Sequence, residues 1–262
     1  MAAYRDCSLQ LRIGREVVRI RMRIPDAPLS IPEFLPVAQA LTDLVASSAS
    51  REAETAGRGI SCGPGCGACC RQLVPVGEAE ALHLYDLCRK LDAVSRARVV
   101  ERFEEMQRRL RAAGLLDALN AVHRLKSQEA RRELGLAYFR LQIPCPFLDD
   151  KDSCSIHRDR PLACREYLVT SSPRHCAQIG TADAEILKLP VRVSALFYRF
   201  GDGIGEEAAR WLPLPLTLEW AASETVQSEH RTYPGPALFE RFVRLLAGEK
   251  GGQATSPGIH QP

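Results

Sequence analysis

The stretch Cys62-Gly63-Pro64-Gly65-Cys66-Gly67-Ala68-Cys69-Cys70 decides how the rest of the chain is read. Its four cysteines are separated only by Gly, Pro and Ala. A second run follows at Cys145, Cys154, Cys164 and Cys176, so eight of the ten cysteines lie in two clusters. Cys66 and Cys69 stand as C-x2-C, the spacing at which one tight turn presents two sulfurs to one ion while backbone N–H groups hydrogen-bond the thiolates. The intervening glycines allow positive φ and close backbone approach, and Pro64 fixes one further dihedral. A metal site is the reading these residues favour.

Adjacent Cys69 and Cys70 add a constraint, because neighbouring side chains diverge in most backbone conformations. They serve two ions, bridge a cluster, or divide into one ligand and one other thiol. Eight sulfurs suffice for two four-cysteine sites, or for one cluster plus a zinc.

The segments CGPGCGACC (62–70) and CPFLDDKDSCSIHRDRPLACREYL (145–168) resemble the YkgJ-type cysteine-cluster family, a zinc- or iron-chelating family with a CxxCxxCC signature. Cys145-Pro146-Phe147-Leu148, Cys154, Ile156, Arg160-Pro161, Cys164 and Arg165 match its second half position by position. The resemblance runs from Cys62 to Cys176. It departs from the family twice: three residues separate Cys62 from Cys66 where two are usual, and His157 stands where Tyr is usual. Cys154-x2-His157 is itself chelating spacing, which makes His157 a further candidate ligand, as His175 is beside Cys176. The resemblance implies metal binding and, for some relatives, an oxidoreductase role or lysine methylation of flagellin.

Lys plus Arg exceed Asp plus Glu by 35 − 32 = 3, which gives little electrostatic reason to expect a nucleic acid as partner. The opening MAAYRDCSLQLRIGRE has no apolar signal region, and no apolar run approaches the roughly 20 residues of a membrane span. A cytoplasmic location is therefore expected, where clustered thiols stay reduced and bind metal more often than they pair.

Period-two alternation over Ser8 to Ile24, with Arg19, Arg21 and Arg23 between apolar residues, predicts a β-hairpin turning at Gly14-Arg15-Glu16. The arginine row reads as a solvated face. Cys7 stands alone before it. Pro25, Pro28, Pro32 and Pro36 predict an extended linker, and Val37 to Ala56 a helix. Val74-Pro75-Val76 is a short extended piece. Helices are expected over Glu78–Leu91, Ser95–Ala113 and Leu116–Gln142, with Cys88 a core thiol of the first and His83 and His123 ordinary helix residues. These helices read as an insertion between the two halves of one metal centre, provided they fold back as an antiparallel hairpin. Two independent four-cysteine sites remain the alternative.

Asp149-Asp150-Lys151-Asp152 reads as an acidic turn, and Pro161 as the start of a short helix that points Cys164 outward. Arg71 and Arg165 are suitable counter-charges for thiolates, while Arg160 and Arg174 could equally be paired with local carboxylates. Val191–Phe200 is β-prone. Gly201–Gly205 is a turn, not a phosphate loop, because it lacks the Lys-Ser/Thr pair and Glu206 and Glu207 follow it. Helices are expected over Glu206–Trp211, Leu216–Val226 and Pro236–Leu246, and disorder from Gly248 onward.

The expected fold is mainly α with a small N-terminal β-hairpin and an irregular cysteine-bound metal core carrying a helical insertion. Its expected divisions are 1–58 (hairpin and leading helix), 59–180 (cysteine-cluster domain, insertion 78–142), 181–247 (mostly helical extension) and 248–262 (tail). The candidate ligands are Cys62, Cys66, Cys69, Cys70, Cys145, Cys154, Cys164 and Cys176, holding zinc or iron, the latter including an iron-sulfur cluster. A redox-active iron centre with an open position makes the chain an oxidoreductase or electron carrier. A closed zinc clamp makes the helices a surface for a protein partner. Cys70 with His157 or His175 is the one thiolate-base pairing that a catalytic reading offers.

Overall fold

The computed structural model describes residues 3–13, 16–125, 127–178, 184–200, 211–223 and 232–248, and the account below concerns these. The fold is mainly helical with a small N-terminal strand pair. Strands β1 (Tyr4–Ile13) and β2 (Glu16–Pro25) run antiparallel, with Leu9 opposite Ile20 and Leu11 opposite Val18. Leu9, Leu11 and Ile24 are buried, whereas Arg19, Arg21 and Arg23 are exposed. A slip of one residue would exchange those faces, so the pattern fixes the register. The turn at Gly14 and Arg15 lies outside the described residues.

A three-residue strand, β3 (Pro28–Ser30), leads into helix α1 (Ile31–Thr55), which begins at Ile31 and not at Val37 as the prolines led us to expect. Ser30 and Glu33 explain the earlier start. The Ser30 N–H and hydroxyl both donate to the Glu33 carboxylate at 2.7 Å, and Pro32 occupies the first turn, where its missing N–H is no loss. Pro36 removes one bond inside the helix, a cost of about 3 kcal/mol. Burial of Phe34, Leu35, Leu41 and Val45, at about 1.5–3 kcal/mol each, outweighs it.

After the first cysteine run come β4 (Pro75–Gly77), α2 (Glu78–Lys90) and α3 (Ala93–Ala112). The long helix expected over Leu116–Gln142 is broken into α4 (Leu116–Asn120), a 3-10 turn at Val122–Arg124, and α5 (Gln128–Arg140). Ser127 restarts the helix by accepting the Ala130 N–H at 3.1 Å. The second cysteine run carries α6 (Leu162–Glu166) and α7 (Pro173–Cys176).

The chain then forms α8 (Val193–Phe197), β5 (Trp211–Pro213), α9 (Thr217–Ala222), β6 (Thr232–Pro234) and α10 (Gly235–Gly248). Strand β3 pairs with β6 and β4 with β5, both antiparallel, pairings that three-residue strands do not announce in sequence. Val191–Phe200, β-prone by composition, is helical at its centre. The buried Glu166 carboxylate takes the Ser194 N–H at 2.9 Å and its hydroxyl at 2.5 Å, capping α8 from outside. Of the helix expected over Glu206–Trp211 only Trp211 is described, and it opens β5; the glycine turn before it and the tail beyond Gly248 lie outside the described residues.

One apolar cluster joins the hairpin, α1, α8 and α10 around the rings of Phe34, Phe200 and Phe242, which meet tilted or edge to face. A second joins α2 and the start of α3 to Phe147 and Ile156 of the second cysteine run, and includes the buried Cys88. A third lies between the end of α3, α4 and α5. Among the described residues no helix is long and apolar enough to cross a membrane.

Candidate metal centre

The first cysteine run is a loop that turns twice. The Cys66 N–H donates to the Gly63 carbonyl at 3.1 Å, with Gly65 at φ +77°, and the Cys70 N–H donates to the Gly67 carbonyl at 3.0 Å in a 3-10 turn over Ala68–Arg71. The second run reaches it by backbone contact. Cys145 N–H donates to the Cys70 carbonyl at 2.7 Å, which closes the helices between them into a folded-back insertion. Ser61 N–H donates to the Val169 carbonyl at 3.0 Å, and α7 packs on the 3-10 turn, bringing Cys176 to it.

Backbone donors face three of the sulfurs. Val169 N–H donates to Cys62 Sγ at 3.4 Å, and the N–H groups of Phe147 and Ile156 face Cys145 and Cys154, each two residues ahead of its cysteine. Such N–H···S contacts stabilise a thiolate and are the outer-shell bonds of cysteine-bound metals. Two groups of sulfurs result. Cys176 lies within electrostatic reach of Cys69, Cys62 and Cys66, and Cys164 within reach of Cys145, Cys69 and Cys154. Cys69 is common to both groups, and its thiol is hydrogen-bonded to Cys70.

Burial pushes the Cys145 thiol up to about 12 and the Cys176 thiol to about 11, and raises Cys62, Cys154 and Cys164. The Cys70 hydrogen bond and then burial raise Cys69. Gathered without a cation, these sulfurs hold their protons; a thiophilic ion would displace them, as metal binding to cysteine requires. Among the described residues no group of three or more His, Cys, Asp or Glu side chains is arranged as a formed metal site. The chemistry of the sulfurs, all soft donors with backbone N–H groups behind them, fits zinc or iron.

All ten cysteines are free thiols. Cys7 is buried against the hairpin core and Cys88 in the second apolar cluster, where burial alone pushes its thiol up to about 11. His157 is exposed and faces Arg160, Arg165 and Asp43, on the side of α1. His175 Nδ1 is buried and has no hydrogen-bond partner among the described residues. The Cys164 thiol is half-buried on α6 and lies within electrostatic reach of Cys145, Cys69 and Cys154.

The counter-charge differs from the one expected. Arg165 is 6% exposed and turned to α1, where it clasps both Asp43 oxygens at 2.7 and 2.9 Å and donates to the carbonyls of Arg160 and Arg158. Arg71 donates to the Gly67 carbonyl at 2.9 Å and reaches Asp152 at 3.6 Å. Against the rise that burial causes at Cys62, Cys154 and Cys164, and that the Cys70 hydrogen bond and burial cause at Cys69, Arg160 is a cation that partly offsets it at all four, as Arg102 does at Cys145. For Arg160, its place in the Arg160-Pro161 pair of the cysteine motif was the available signal.

A fold that gathers cysteines from two distant runs around one short loop defines a cysteine-cluster protein. Residues 61–186 match the family model CxxCxxCC, described as "Putative zinc- or iron-chelating domain". No curated protein and no solved structure matches the chain.

Proposed function

We propose that the eight thiols of Cys62, Cys66, Cys69, Cys70, Cys145, Cys154, Cys164 and Cys176 form one continuous zinc- or iron-chelating centre with two lobes. Cys62, Cys66 and Cys176 make one lobe and Cys145, Cys154 and Cys164 the other, with the adjacent Cys69 and Cys70 at the junction. The observation that carries this reading is the position of Cys69 within reach of sulfurs from both runs. It also accounts for two cysteines side by side: the Cys69 and Cys70 side chains are hydrogen-bonded to each other where the two lobes meet. A single shared centre ties the helical insertion closed, so metal binding contributes to folding.

Metal content and visible absorption of the full chain, purified without oxygen, test it. Cys66→Ser and Cys164→Ser should each lose metal, Cys69→Ser should lose most, and Cys88→Ser should keep all of it. Iron with inorganic sulfide and a bleachable visible band would identify a cluster and a redox role; colourless protein with stoichiometric zinc would identify a closed clamp. Full metal in Cys69→Ser and Cys164→Ser alike would overturn the reading.

A further inference from the structure

Behind the sulfur centre, α1 and the segment 157–168 line an open cleft of about 650 Å³, within the size range of a small-molecule site. Four guanidiniums line it: Arg51 from α1, and Arg158, Arg160 and Arg165 from the cysteine run. Arg165 is committed to Asp43. Among the described residues Arg51, Arg158 and Arg160 form no ion pair, and the buried Nε of Arg160 has no hydrogen-bond acceptor. Glu54 is the remaining carboxylate on the lining, so the free groups carry 3 − 1 = 2 positive charges. The field is felt locally: Arg160, then burial, then Arg165 lower the His157 pKa, against Asp43.

A buried guanidinium N–H with no acceptor is costly unless a ligand or water supplies one. Arginine forks match the paired oxygens of carboxylate and phosphate. The exposed Ser47 hydroxyl on the same lining adds a neutral donor. We propose that this cleft binds a small molecule bearing an oxyanion, a carboxylate or a phosphate, on Arg51, Arg158 and Arg160. Arg160 also faces the sulfurs, so the anion sits one side chain away from the metal centre and shares its cation.

The cleft can be tested whatever the metal. Isothermal titration of the full chain with malonate, with inorganic phosphate and with neutral malonamide reads it directly. At least one of the two anions should bind saturably at one site, and malonamide should not; whichever anion binds more tightly names the class of oxyanion. Arg158→Gln and Arg51→Gln, both at exposed positions, should weaken binding about tenfold each, as loss of a charge-assisted hydrogen bond does. Arg160→Gln should do the same or more, while Arg108→Gln on α3 should leave it unchanged. Metal content measured on the same samples separates the two sites: full metal with lost anion binding in Arg158→Gln belongs to the cleft. Absence of saturable binding by both anions, or equal affinity across the four variants, would overturn the proposal.

Discussion

Gly67 lies so close to Asp152 that a Cβ on it would stand 2.9 Å from the carboxylate Oδ1 and 3.1 Å from the backbone carbonyl, with Leu148 Cδ1 at 3.0 Å. The two cysteine runs meet at this point, one through its third glycine and the other through its acidic turn. Asp149 holds that turn by accepting the N–H groups of Lys151 and Ser153 at 2.8 Å, so it yields little.

Gly67→Ala should therefore separate the runs by a few tenths of an ångström, cost about 1–3 kcal/mol and lower retained metal, although no sulfur is touched. Gly63→Ala, with nothing within 4 Å of its Cβ, should change stability by less than about 0.5 kcal/mol. Urea unfolding with metal analysis on both variants checks this. Equal behaviour of the two would mean that the contact between the runs does not set the geometry of the centre.

Arg165 and Asp43 make an unequal pair, since the arginine side chain is 7% exposed and the aspartate 54%. Arg165→Ala leaves the Arg158 and Arg160 carbonyls without their donor inside the fold, and should cost about 2–4 kcal/mol. Asp43→Ala leaves a guanidinium that still has both carbonyls, and the lost carboxylate was largely solvated; about 1–2 kcal/mol is expected. Chemical denaturation of the two variants decides the matter, and an Asp43→Ala loss as large as that of Arg165→Ala would contradict this division of roles.

Much of this arrangement was legible in the sequence. Alternation placed the hairpin, helical spacing placed α2 and α3 to within about two residues at each end, and the cysteine spacing marked the loop around which the fold is gathered. What stayed hidden depends on partners distant along the chain. Residues 193–197 are helical because Glu166 caps them, and no local propensity encodes that bond. The pairing of β4 with β5 joins segments on either side of the second cysteine run through three residues each. Arg160 and Arg165 look alike in sequence; only the position of Asp43 on α1 shows that one is a structural clasp and leaves the other facing the sulfurs. The early start of α1 was readable in principle from Ser30 and Glu33, but the prolines around them signalled a linker more strongly.

Glu80 supplies a dependence on pH. It is 2% exposed, caps α2 by accepting the Gly77 N–H at 2.8 Å, and ties that helix to α6 by accepting the Leu162 N–H at 2.7 Å. Burial pushes its pKa from 4.5 to about 7 in spite of those two donors. The folded state therefore holds a proton that the unfolded chain releases, and stability falls as pH rises between these values. The contribution of the neutral carboxyl is complete below 4.5 and is lost as pH passes through about 7. The corresponding free energy is about 3 kcal/mol. Glu80→Gln cannot ionise, and its amide replaces one acceptor by a donor, so it should be less stable than the wild type in mild acid. The gap between wild type and variant should narrow by roughly 2–3 kcal/mol from pH about 5 to about 8. Urea unfolding of both proteins at the two pH values measures the gap, and comparing the difference cancels the rise in metal affinity that thiol deprotonation brings to each. A gap that stays constant or widens with pH would show that Glu80 is ionised throughout.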